Sequence, residues 1–157
     1  MKKLFALILA VCTLLTLAAC SGGSAPETNE PVALDLQQIY QAMSAATDEK
    51  MTPINSDWLL DMYGIDPEDC TEAYVYSFNS GIMAAEVWLI KASSPEALER
   101  LQALAQSRLA SLDKQSASYS PELNAVVKKA QVICRGDYIA MILSKEVEAL
   151  AAIFNEA

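Results

Sequence analysis

Two pairs of strand-like segments, each closed by a short glycine-containing turn and followed by a helical segment, constrain the fold most strongly. In the first pair, residues 73–78 and 82–92 are rich in aromatic and branched side chains and flank Asn79-Ser80-Gly81. The second pair spans residues 131–143 and turns at Gly136. Short glycine loops between such segments are typical of β-hairpins. The second hairpin is apolar on both faces and is expected in the middle of the sheet.

Other segments have the spacing of amphipathic helices that cover a sheet. Apolar residues recur at intervals of three and four from Leu36 to Met43, which indicates one helical face. The predicted boundary signals are Asp35 before the first helix, Ser56 and Gly64 around a short second one, Ser93 to Glu96 at the start of a long third one, and Ser144 before the last. The sequence therefore predicts an α+β domain in the order α-α-β-β-α-β-β-α, with an antiparallel sheet of about four strands packed against helices.

Pairing across the first hairpin defines the candidate binding face. With the turn centred on Ser80, one face of the sheet collects an aromatic group and a single carboxylate. Its members are Tyr74, Tyr76, Phe78, Glu86 and Trp88. Aromatic rings offer flat surface to a sugar or peptide, and a carboxylate offers an acceptor. The competing interpretation is that the first two helices cover this face, with Tyr40, Met43 and Trp58 above it, as the second half of the core.

The first residues of the chain predict an export signal with a lipid attachment site. Lys2 and Lys3 precede an apolar run from Leu4 to Leu17, which is too short to span a bilayer. Leu17-Ala18-Ala19-Cys20 then has the pattern of a lipoprotein cleavage site. We expect cleavage between Ala19 and Cys20, and a diacylglyceryl or palmitate-type anchor on the Cys20 thiol, since two acyl chains bind a membrane stably.

These features divide the chain into three parts. Residues 1–19 are the predicted signal peptide, residues 20–31 the lipidated cysteine and a flexible Ser/Gly/Pro-containing tether, and residues 32–157 one globular domain. The expected location is the outer face of the plasma membrane. No other cofactor and no metal is expected, because the acidic residues between Asp57 and Glu72 lack the spacing of a calcium loop.

The net charge limits the classes of ligand that the chain is expected to bind, and the cysteine content limits the disulfides that it can form. The formal net charge is −9, which opposes binding to the phosphates of nucleic acid. Once Cys12 leaves with the signal and Cys20 carries lipid, Cys70 and Cys134 remain. They either form a disulfide, as extracytoplasmic proteins often do, or stay as two thiols, because sequence alone does not place them within bridging distance.

The chain contains no histidine, which removes the commonest general base and most nucleophile systems. We therefore expect a non-enzymatic binding or accessory module that contacts an envelope protein or peptide. One alternative is a small cell-envelope hydrolase that uses carboxylates, or Ser111 with Lys114. Another is a small solute-binding lipoprotein, although a domain of this length is small for two closing lobes.

Several short motifs together resemble a family of bacterial lipoproteins that carry the domain of unknown function numbered 4358. They are the lipobox and tether, Met62-Tyr63-Gly64-Ile65-Asp66, Leu89-Ile90-Lys91-Ala92 before the long helix, and Gly136-Asp137-Tyr138 in the last hairpin. The resemblance covers nearly the whole mature chain. It implies a domain type and a location, but no activity and no catalytic residues.

Overall fold

Five strands form one antiparallel sheet in this computed structural model, which describes residues 33–80 and 83–157. In chain order they are β1 (Thr52–Pro53), β2 (Cys70–Asn79), β3 (Ala84–Ala92), β4 (Gln131–Arg135) and β5 (Tyr138–Leu143). Across the sheet the order is β1-β2-β3-β5-β4. Only β5 of the second hairpin is therefore internal, and β4 forms an edge. The predicted α+β architecture is confirmed, with β1 as an additional two-residue strand.

Five α-helices accompany the sheet in the described part of the chain. They are α1 (Leu36–Ala45), α2 (Leu59–Tyr63), α3 (Pro95–Ser116), α4 (Pro121–Val127) and α5 (Val147–Glu156), with 3₁₀ turns at Ser56–Trp58 and Pro67–Asp69. None of the helices in residues 33–80 and 83–157 has the length and apolar character needed to cross a membrane. The predicted signal, the lipidation site and the tether lie outside the described residues.

The sheet has a separate apolar layer on each face. On one face, Val87 and Leu89 of β3 pack with α1 and α5, which contribute Met43 and Phe154 to the same cluster. On the other face, Trp88 and Ile90 of β3 pack with α2 and α3, whose buried residues include Leu59, Tyr63, Leu101 and Ala105. This alternation follows from the two-residue repeat of a strand. It explains why β3 is buried along nearly its whole length.

Local capping agrees with the sequence at some positions and corrects it at others. Asp35 caps α1 as predicted, because its side chain accepts from Gln38 N at 2.9 Å. Asn55 rather than Ser56 provides the cap in this region, and it caps the 3₁₀ turn that leads into α2, since its side chain accepts from Asp57 N. The long helix is capped by Ser94, one residue later than the start predicted at Ser93.

The predicted register of the first hairpin is wrong. Phe78 pairs with Ala85, and Tyr76 pairs with Val87, whereas a turn centred on Ser80 predicts an earlier partner for each. The connection between the strands is longer than predicted and is closed by a hydrogen bond from Ser80 N to Met83 O. Because the difference is an odd number of residues, every β3 side chain moves to the opposite face. The predicted aromatic face is thereby divided.

The two chain segments that border the described domain lie together. Ala33 next to α1 and Ala157 after α5 line one cavity, with Ile39 and Ile153 between them. Arg135 at the end of β4 also holds the last turn of α5, because its guanidinium donates to the carbonyl oxygens of Phe154 and Ala157. This cavity lies on the α1 and α5 side of the sheet.

Candidate functional site

Glu86 is a buried carboxylate in the middle of an apolar strand. It is 4% exposed, and its neighbours along β3 are Ala85 and Val87. Trp88 Nε1 donates to Glu86 Oε1 at 2.8 Å. Arg108 donates from Nε to Oε1 at 3.2 Å and from Nη2 to Oε2 at 2.8 Å. Both carboxylate oxygens are thus occupied by protein donors, which burial of a charge requires.

Arg108 reaches Glu86 because it continues the buried stripe of α3. Ala97, Leu101 and Ala105 are almost completely buried, and Arg108 follows at the next helical interval. Burial alone lowers the pKa of the Arg108 guanidinium. The hydrogen bonds and charge of Glu86 outweigh that effect and raise its pKa, so Arg108 stays charged. The arrangement is an ion pair between a buried carboxylate and a partly buried guanidinium at the junction between helix and sheet.

Tyr63 completes this polar group from the end of α2. The Arg108 guanidinium lies over the Tyr63 ring at 5.3 Å, and the ring meets Trp88 edge-on with centroids 6.0 Å apart. The Tyr63 hydroxyl donates to Ser77 Oγ at 3.2 Å. Gly64, with φ of 74°, ends α2 in the left-handed conformation that glycine favours, as predicted. Arg108 is therefore fixed both by its acceptor and by the ring beneath it.

These side chains form the floor of a cavity of about 240 Å³, which we call the Glu86 cavity. Its polar lining comes from Tyr63, Ser77, Asn79, Glu86 and Arg108, and its apolar lining from Met62, Phe78, Ala84 and Leu112. Met62 is 56% exposed, so a large apolar side chain stands open to solvent beside the buried Glu86 and the partly buried Arg108. Apolar walls around a few fixed polar groups are the usual composition of a binding pocket.

Arg108 keeps hydrogen-bonding capacity that the protein does not use. A guanidinium has five N–H donors, and Arg108 uses one on Nε and one on Nη2 to hold Glu86. Within residues 33–80 and 83–157, the hydrogen bonds of the guanidinium are those to Glu86, and the side chain is 31% exposed, so Nη1 is open to solvent. The outer edge of the guanidinium is therefore able to donate to a ligand.

The five residues predicted as one binding face lie on both sides of the sheet. Glu86 and Trp88 belong to the Glu86 cavity or its floor, on the α3 side. Tyr74 and Tyr76 face α1, where Tyr76 stacks on Tyr40 with ring centroids 3.2 Å apart. For Tyr76 the competing interpretation holds, because Tyr40 of α1 stacks on it, and Tyr74 is partly buried against the same cluster. Phe78, at the end of β2, pairs with Ala85, and it lines both the edge of the Glu86 cavity and a second cavity beside Glu49 and Glu146.

The helical cover predicted above the tyrosines is only partly present. Met43 is fully buried in that layer. Trp58 is 57% exposed and belongs to the 3₁₀ turn before α2, on the other side of the sheet. The short second helix faces the α3 layer through Leu59 and Tyr63, which explains why Trp58 has no part in covering the tyrosines.

The remaining sequence candidates are separate from this cavity. Cys70 and Cys134 are free thiols, so no disulfide joins them. Two strands, β3 and β5, separate β2 from β4, and three strand spacings of about 4.8 Å exceed the bridging distance. Ser111 and Lys114 are both exposed on α3, and Ser111 Oγ accepts from Gln115 Nε2.

The acidic residues before β2 serve local roles. Asp66 caps the second 3₁₀ turn by accepting from Glu68 N, and Asp69 accepts from Arg100 of α3. That bond to Arg100 lowers the pKa of the Asp69 carboxyl. In the described residues, no group of three or more cysteine, aspartate or glutamate side chains is arranged to hold a metal ion.

A second polar cluster joins two loops on the α1 and α5 side. Ser144 Oγ donates to Glu49 Oε2 and accepts from Glu146 N at 3.1 Å. Thr47 Oγ1 donates to Glu146 Oε2 at 2.9 Å. Ser144 was predicted to cap the last helix, and it does bond the backbone there, although the residue at the helix boundary is Glu146. Every member has a protein partner, so the cluster is a structural link between the loops.

Arg108, Tyr63 and Ser77 are the functional residues that sequence reasoning missed. The signal for Arg108 is present in the sequence, since a basic residue continues the apolar stripe of the long helix. A lone carboxylate in an apolar strand also requires a cation nearby. The register error concealed the match, because it placed Glu86 on the face away from α3.

Comparison with known proteins gives one match. The family model described as Domain of unknown function (DUF4358) matches residues 44–144, a range that includes every residue named in the Glu86 cavity. No curated protein matches the chain, and no solved structure matches it.

Proposed function

The chain belongs to the DUF4358 family, and from that premise we propose that it is a non-enzymatic binding module of the cell envelope whose Glu86 cavity receives part of a protein or peptide partner. The observation that carries the proposal is the pair of unused N–H donors of Arg108 in a cavity that the exposed side chain of Met62 also lines. Arginine, methionine and aromatic residues are enriched in protein interfaces. A partner side chain bound there would bury apolar surface next to a fixed donor.

The size of the cavity favours a partner over a free solute. At about 240 Å³, it is smaller than the roughly 300 to 1,000 Å³ typical of small-molecule sites. A space of that size accommodates one or two residues of a larger ligand. At the Glu86 cavity, this size supports part of a larger ligand over a free solute.

The arrangement of polar groups also favours binding over hydrolysis. Both oxygens of Glu86 already accept hydrogen bonds from Arg108 and Trp88, so neither is directed at a substrate. Ser111 bonds Gln115, and no hydrogen bond joins it to Lys114 in the described residues. A nucleophile needs a base within hydrogen-bond reach.

The location is part of the proposal. The chain is anchored by lipid on Cys20, and residues 20–31 tether the domain to the outer face of the plasma membrane. The acidic net charge of −9 supports a protein or peptide partner over nucleic acid.

Site-specific photocrosslinking in cells tests the proposal. A photoreactive amino acid replaces Met62 or Phe78, and Tyr119 is the control position because, like Met62, it is 56% exposed, but it lies in the turn after α3. We expect one adduct of the same mass from positions 62 and 78, and none from 119. Absence of an adduct at 62 and 78, or an equal pattern at all three, contradicts a partner at the Glu86 cavity.

A further inference from the structure

The charge of the Glu86 cavity determines which ligand chemistry suits it. Arg108 is the cation on the cavity floor, and Glu86 neutralises it through two hydrogen bonds. The whole chain carries a net charge of −9. An anionic ligand would therefore place a second carboxylate next to Glu86 within an acidic protein. A neutral acceptor meets the same donors without that repulsion.

The free edge of Arg108 specifies the kind of neutral acceptor. The outer donors are Nη1 and the second N–H of Nη2. They lie in a fixed plane because Nε and Nη2 are hydrogen-bonded to Glu86 and the Tyr63 ring packs against the guanidinium. Two such donors side by side suit an amide carbonyl oxygen, which has two lone pairs. A peptide backbone presents this oxygen at every residue.

The apolar wall specifies what accompanies the carbonyl. Met62 has a flexible thioether side chain that adapts to aliphatic and aromatic shapes, and Leu112 of α3 continues the apolar wall beside it. Met62 is 56% exposed, so a bound apolar side chain would remove its apolar surface from water. This suits an apolar side chain better than a polyhydroxylated sugar.

We propose that the Glu86 cavity recognises an uncharged apolar residue of a peptide, with its backbone carbonyl on the outer N–H groups of Arg108 and its side chain against Met62 and Leu112. This inference rests on the proposed binding function and names its ligand class.

The test is a titration of the full chain, reconstituted in nanodiscs of uncharged lipid, followed by NMR of the Arg108 Nε–H and the Ser77 amide. The probe is N-acetyl-leucine N-methylamide, a neutral single residue. N-acetyl-leucine supplies the anionic version, and N-acetylglucosamine tests a sugar ligand. For a probe of this size we expect a Kd of about 1 mM. The acid and the sugar should bind at least about tenfold more weakly.

Two variants separate recognition from folding. Arg108→Lys keeps the positive charge but removes the outer pair of guanidinium N–H donors. Met62→Glu changes an exposed side chain and leaves the Glu86–Arg108 ion pair in place. Each should weaken the neutral probe at least about tenfold. Arg100→Lys is the matched control, because Arg100 lies two turns earlier on α3 and pairs with Asp69. The indole N–H signal of Trp88 reports whether the floor remains folded.

The possible results test the proposed ligand class separately from the proposed binding function. Equal or tighter binding of the acid or the sugar, no binding of the neutral probe, or equal binding by the Arg108 and Arg100 variants, overturns the peptide preference. If crosslinks at positions 62 and 78 are nevertheless found, the binding module stands with a different ligand. If the neutral probe binds as expected but crosslinks are absent, the peptide preference of the cavity is supported while the partner in the envelope is not.

Discussion

Arg108 Nη2 lies 2.8 Å from Glu86 Oε2, and this contact joins the long helix to the central part of the sheet at a point where both elements are otherwise apolar. A buried ion pair is weak evidence of stability, because desolvation offsets much of the attraction. The main effect of this ion pair is on geometry. It fixes the plane of the Arg108 guanidinium, which lines the Glu86 cavity.

Removing only the cation should destabilise the domain more than removing the pair. Arg108→Met leaves the Glu86 carboxylate buried without its cation, and we expect a loss of about 3 kcal/mol in the free energy of unfolding. Glu86→Gln together with Arg108→Met should recover part of that loss, because the Gln carbonyl oxygen still accepts from Trp88 Nε1. Urea denaturation measures both.

The control for this prediction is Arg100→Met. Arg100 forms an ion pair with Asp69, but its side chain is 60% exposed, and solvent screening leaves exposed pairs with little effect on stability. If Arg108→Met is no more destabilising than Arg100→Met, the Glu86 carboxylate does not depend on Arg108 for its burial.

Gly64→Ala should destabilise the domain by about 1 to 2 kcal/mol, because an L-residue is strained in the left-handed conformation. Gly64 has φ of 74°, and an added Cβ would lie 3.3 Å from Leu104 Cδ1. Gly64→Asn should be tolerated better, since asparagine enters this conformation more readily. A denaturation midpoint for Gly64→Ala equal to that of the unaltered protein would contradict this account.

The two free thiols of the domain should differ in reactivity. Burial, with smaller contributions from Asp69 and Asp66, raises the pKa of Cys70 to about 11, and the thiolate is the reactive form. Burial also raises the pKa of Cys134, but Cys134 is exposed. Near pH 8 we expect iodoacetamide to modify Cys134 faster than Cys70.

The pH dependence of Cys70 alkylation has a definite sign. Because its thiol is protonated below about pH 11, the rate should rise about tenfold for each pH unit towards that value. Peptide mapping by mass spectrometry follows both sites. A Cys70–Cys134 linked peptide in the non-reduced digest would refute the free-thiol state.

Cys20→Ser should release the protein from the membrane. Labelling with a palmitate analogue should be lost, and the protein should move from the membrane fraction to the soluble fraction, because the lipid is the proposed anchor. Cys12→Ser, within the predicted signal, is the matched control and should leave labelling intact. Persistent labelling of the Cys20 variant would contradict lipidation at this position.

The local signals in the sequence predict helices well and pair strands less well. Asp35 and Gly64 are read correctly because a cap depends only on residues within one turn. The second hairpin is located correctly along the chain since its connection is short, but its expected place in the middle of the sheet is wrong for β4, which lies at an edge. Phe78 is paired wrongly because loop length is not encoded by composition, and a shift of one position changes the face. The same error in register concealed the ion pair between Glu86 and Arg108, because it placed Glu86 on the face of the sheet away from α3.

Ala33 and Ala157 line one cavity on the face of the sheet that α1 and α5 cover, whereas the Glu86 cavity lies on the α3 face. A short linker between these two positions would give a circular permutant without crossing the Glu86 cavity. A fluorescent reporter fused after Ala157 would likewise leave the approach to Met62 and Phe78 open. The domain is therefore suited to display or biosensor formats that keep one face unobstructed.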